Sequence, residues 1–106
     1  MVPFQISTDQ NSWPTYAITF SDHINVQVLA SGVAETITTP SGANFVLFSS
    51  TSNFYCRANG TAVVPTGDIT NGSGSELNPV ARSLRNVSSI SLISPGTCTV
   101  TMAFYA

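Results

Sequence analysis

At the end of the chain Cys98, Val100, Met102 and Phe104 alternate with Thr97, Thr99, Thr101 and Ala103. A two-residue period puts the first set on the buried face of a β-strand and the threonines outward. Threonine keeps β propensity on the outer face without adding charge. The same reading predicts strands over Tyr16–Phe20, over Asn25–Leu29 with Val26 and Val28 on one face, and over Glu35–Thr38, which Pro40 stops. Phe45–Phe48 is apolar at every position, so it belongs in a central strand or one covered on both sides. Asn53–Arg57, Thr61–Val64 and Ser88–Ile93 complete about eight strands. Ser31-Gly32, Ser41-Gly42, Asn59-Gly60 and Pro95-Gly96 supply the turns between them.

No helical period of useful length interrupts this pattern. The chain therefore predicts an all-β fold: a single jelly-roll-like antiparallel β-sandwich over residues 15–106 with an extended N-terminal arm over residues 1–14. The expected core is Val26, Val28, Ile37, Phe45, Leu47, Phe54, Cys56, Ile90, Leu92, Val100, Met102 and Phe104. Two stretches carry no period. The arm holds Phe4, Ile6 and Trp13, which need something to pack on. Thr66–Leu84 is Gly- and Ser-rich and reads as a long loop with one helical turn between Pro79 and Leu84.

A length of 106 residues suits one domain, too short for two independent cores. Charge changes the picture more. Only 8% of residues are charged, with three Arg and no Lys against five acids. Three cations neutralise few phosphates, so no nucleic-acid partner is expected. No apolar run approaches the ~20 residues of a bilayer span, so no membrane partner is expected either. The N-terminus lacks a basic and apolar leader, which reads as a protein made in the cytoplasm. Polarity comes instead from 15 Ser, 13 Thr and 8 Asn. Monomers usually stay soluble through net charge, so a surface this neutral suggests faces docked in an assembly.

Candidate chemistry is sparse. Asp22-His23 is the sole acid–imidazole pair, and it lacks the nucleophile that a triad needs. It reads as a turn before a strand. No catalytic residues, metal site or cofactor are expected. Cys56 and Cys98 fall at strand positions and read as reduced, buried side chains, with a bridge or a metal pair as the alternatives. The sequons at Asn59, Asn71 and Asn86 are what so many Ser and Thr produce by chance. Arg57, Arg82 and Arg85 each want a carboxylate, with Glu35, Asp68 and Glu76 on offer. Such a fork fixes either a subunit contact or an intrachain clamp such as Glu76 with Arg82.

Residues 40–49 (PSGANFVLFS), Asn53-Phe54-Tyr55, Thr61–Pro65, Ser75-Glu76-Leu77-Asn78-Pro79 and the closing Cys98–Tyr105 resemble a group of small phage and prophage proteins. The similarity spans roughly residues 39–105. It implies a virion-associated structural protein, located in the virion, with no enzyme activity. The expectation is then a capsid-decorating, head-stabilising homotrimer whose partners are itself and the major capsid or another virion protein. Phe4, Ile6, Trp13, Glu76, Leu77, Arg82 and Arg85 are the candidate contacts. The alternative is a carbohydrate- or receptor-binding module of a fibre or tail, with Trp13, Tyr16, Tyr55 and Tyr105 as an aromatic platform. A small enzyme is the third reading.

Overall fold

The computed structural model describes residues 1–106, the side chain of Tyr16 excepted. Its strands run in the order β1 (Ile6–Thr8), β2 (Pro14–Ile18), β3 (His23–Leu29), β4 (Glu35–Thr38), β5 (Phe45–Ser50), β6 (Tyr55–Ala58), β7 (Glu76–Leu77), β8 (Ala81–Ser83), β9 (Ser89–Ile93) and β10 (Cys98–Tyr105). β1 and β2 pair with each other in a small sheet of their own. The other eight form two four-stranded antiparallel sheets, β3-β10-β5-β8 and β4-β9-β6-β7. They share one core in a β-sandwich-like arrangement.

The ladders are nested. β3 pairs with β10, β4 with β9, β5 with β8 and β6 with β7. The segment from Gly60 to Ser75 is the closing turn of this long folded-over hairpin. The alternation in β10 holds as expected: Cys98, Val100, Met102 and Phe104 are all buried. They meet Val46 and Phe48 of β5, Ile90 and Leu92 of β9, and Phe54 and Cys56 around β6.

Several expectations are corrected. Val26 and Val28 face solvent at 59% and 69% exposure, so they are not core. On β5 the buried pair is Val46 and Phe48, while Phe45 and Leu47 are half-buried on the opposite face. Ile37 is half-buried against the core. Thr61–Val64 is not a strand. It lies across the far side of β9, where the Ala62 amide donates to Ser91 Oγ at 2.8 Å and Ala62 is buried. Pairing there would have left Ser91 without its partner. The expected helical turn near Pro79 is the crossover into β8 instead.

The N-terminal residues also differ from a free arm. The Ala106 amide donates to the Val2 carbonyl, and the Phe4 amide donates to the Ala106 carbonyl. Residues 6–18 then form the β1–β2 hairpin. Asp9 builds its tip: Oδ1 accepts from the Asn11 and Trp13 amides, and the chain turns through Ser12 at φ 62°. The radius of gyration is 15.2 Å, against about 13 Å for a compact chain of this length. The long axis of 52 Å exceeds the ~27 Å that an eight-residue strand covers, so segments outside the sandwich extend the molecule.

Phe104 is fully buried near the end of β10, between His23 of β3 and Val46 of β5. Phe104→Ala is expected to cost roughly 3–5 kcal/mol in a denaturant melt. A loss under about 1 kcal/mol would place Phe104 on the other face of β10.

Candidate functional site

The structural oddity of this molecule is β3. It is an edge strand, bonded to β10 on one side only. Register decides which of its faces looks inward: Leu29 lies opposite Cys98 and His23 opposite Phe104, so His23, Asn25, Gln27 and Leu29 point to the core side. Ile24, Val26 and Val28 point away from it. The strand is apolar outside and polar inside over six of its seven residues. A slip of one residue would reverse this. Anchors at both ends prevent it. At the start, Ser21 Oγ donates to the Phe104 carbonyl at 2.6 Å and accepts from the His23 amide. At the end, Leu29 is buried, and the turn through Gly32 (φ 71°) donates an amide to the Ser94 carbonyl at 2.8 Å.

Ile24 begins an apolar row across the whole sheet, while Val26 and Val28 lie beside the outward Thr101 and Thr99 of β10. Ile24 lies beside Ala103, Ala103 beside Leu47, and Leu47 beside Ala81. One corner of this face is covered by the chain itself. The Phe4 ring stacks on Phe45 with centroids 5.0 Å apart and meets Tyr105 edge-on at 5.2 Å. Tyr105 is buried there and its hydroxyl donates to the Thr19 carbonyl at 2.7 Å. The Ile24–Val28 end has no such cover among the described residues. Nor do Trp13, at 66% exposure on the hairpin, and Phe20, at 95% on the link to β3. Burying a phenylalanine from water is worth about 1.5–3 kcal/mol, so an aromatic this bare is costly in isolation.

The remaining expected contacts lie at the opposite edge of the sandwich. Arg82 of β8 donates from Nε to Glu76 Oε2 of β7 at 2.7 Å, and its NH2 group binds the same oxygen. Because β7 and β8 end different sheets, this ion pair clips the two sheets together. Both groups are about half exposed, so the clip contributes under about 1 kcal/mol. Asn78 reinforces the crossover, accepting from the Phe54 amide and donating to Asn53. Leu77 and Arg85 are exposed. The structure thus gathers Glu76, Arg82 and Leu77 in one place, puts Phe4 on the chain's own sheet, and leaves Ile6 and Trp13 on the hairpin. Sequence reasoning missed Phe20 and Ile24. The signal for Ile24 was the same alternation that was read for Val26 and Val28, pointed the other way; Phe20, in the link before β3, had none.

Asp22 and His23 do not act as a pair. The Asp22 carboxylate serves the N-terminus: Oδ1 accepts from the Val2 amide and Oδ2 lies 3.7 Å from the terminal ammonium. His23 instead meets Phe104 edge-on at 5.7 Å. Among the described residues no three His, Cys, Asp or Glu side chains group as a metal would require. A cavity of about 140 Å³ opens beneath the Glu76–Arg82 pair, lined by Val46, Phe48 and Cys56. That is below the ~300 Å³ at which ligand pockets begin. Of the four aromatics read as a platform, Tyr105 is buried under Phe4 and Trp13 sits on the hairpin. The side chain of Tyr16 lies outside the described residues.

Cys56 and Cys98 are unpaired and buried. Burial, helped by the Glu76 carboxylate and opposed by Arg82, pushes the Cys56 thiol from 9.0 up to about 12. A raised pKa favours the folded state below the unfolded value, and that stability is lost as pH climbs through the folded one. Folding stability should therefore fall between pH 9 and about 12. The fall should be shallower in Cys56→Ala, measured by denaturant melts across that range; equal slopes would remove the thiol from the account. No protein-family model, curated protein or solved structure matches the chain.

Proposed function

We propose that the chain is a structural subunit of a phage virion, a homo-oligomeric sandwich that decorates and stabilises the head. The observation that carries this reading is the register of β3, which turns Ile24, Val26 and Val28 into water. A folded chain keeps such a face where another surface covers it. The near absence of charge fits the same picture, since there is little to desolvate when faces dock. The nested ladders support a jelly roll, an eight-stranded architecture common in capsid proteins. The resemblance of residues 39–105 to small phage proteins names the particle. In this reading the partners are further copies, a homotrimer by analogy with capsid jelly rolls, and the major capsid protein. The chain is made in the host cytoplasm and ends in the virion.

The exposed indole of Trp13 favours one other reading, a carbohydrate- or receptor-binding module of a fibre or tail. A glycan array separates the two. The direct test is mass spectrometry of particles purified from the source culture. The chain should appear at a fixed ratio to the major capsid protein. Recovery only in the particle-free fraction would contradict the virion reading.

A further inference from the structure

Two apolar surfaces stay bare in the same chain. One is the outer face of β3 with Ile24, Val26 and Val28; the other is the β1–β2 hairpin with Ile6 and Trp13. They are exposed together, so they do not pack on each other within one copy. The link between them is anchored to the sandwich: Tyr105 holds the Thr19 carbonyl, and Ser21 holds the Phe104 carbonyl. The hairpin therefore leaves the sandwich from beside β3.

We propose that the β1–β2 hairpin of one copy seats on the outer face of β3 of a second copy. This deepens the reading of the chain as a self-assembling structural subunit and rests on it. The area fits. Taking ~150–250 Å² for a whole aromatic side chain and less for Ile and Val, the exposed parts of Ile6, Trp13, Ile24, Val26 and Val28 come to roughly 550 Å². A standard interface buries about 1,600 Å² in total, a little over half of it apolar. The two patches together supply more than half of that apolar share. Two β3 faces stacked on each other would leave Ile6 and Trp13 in water; hairpin on face covers both patches with one kind of contact.

The other sheet edges are protected, which singles out β3. β8 has three residues and Arg82, β7 has two and Glu76, and β4 has four and starts at Glu35. Short, charged edges discourage docking. β3 has seven residues, no acidic or Arg side chain and an unbroken register. A hairpin-on-face contact is heterologous, because each copy offers both halves. Repeated, it closes into a ring such as a trimer, or runs on as a filament.

Mixing tests this. Trp13→Asp destroys the hairpin half and Val26→Asp the face half; both positions are exposed, so both variants should fold. Ile6→Asp with Val28→Asp is the second pair, and circular dichroism confirms folding of each. By light scattering at tens of micromolar, the unaltered protein should be oligomeric and each variant alone monomeric. An equimolar mixture of the two should form a one-to-one dimer, since one good hairpin still meets one good face. An oligomeric parent whose variants never complement would overturn this contact and leave the structural-subunit reading standing. A parent that stays monomeric would overturn the contact and the self-assembly within that reading, while particle composition would still test its place in the virion.

Discussion

The buried row of β10 sets where every other strand of the larger sheet lies. Cys98, Val100, Met102 and Phe104 fill the middle of the core. β3 and β5 take their registers from it. Through β5 it also positions β8, and the Glu76–Arg82 clip then ties that sheet to the other. Fixing β10 leaves β3 little choice. Leu29 must stand opposite Cys98 and His23 opposite Phe104, so the three branched residues between them face outward.

The two sheets solve the problem of their outer faces differently. On the smaller sheet the segment around Ala62 crosses β9 and satisfies Ser91. On the larger sheet Phe4 covers Phe45 and Tyr105 at one corner, and among the described residues nothing covers the other end. In the proposed assembly a second copy covers Val26 and Val28 there, with the exposed apolar residues of its hairpin.

Much of this was legible in the sequence, for physical reasons. β4, β9 and β10 alternate or run apolar between clear turn residues, and their spans follow from that. Periodicity gives a face but not its direction, so Val26 and Val28 were placed inside when the anchors at Ser21, Leu29 and Gly32 turn them out. In β5 the four positions Phe45–Phe48 are all apolar, and pattern alone could not separate Val46 and Phe48 from Phe45 and Leu47. Thr61–Val64 has strand composition, yet its backbone serves Ser91. β7 and β8 are too short to show a period and exist because the crossover at Asn78-Pro79 delivers them to two sheet edges. The Glu76–Arg82 pair was legible because charges are so few. Phe20 was not, because it lies in a link rather than on a periodic face.

The central claim is that the outward face of β3 is covered by another copy. The most direct measurement is thiol labelling of Val26→Cys over a range of protein concentrations, with Thr36→Cys on the exposed face of β4 as the control. The native thiols are both buried, and the unaltered protein labelled in parallel gives their contribution. The account predicts fast labelling at both positions in dilute solution and, as concentration rises, slowing at position 26 alone. Labelling at position 26 that stays fast at every concentration would contradict it.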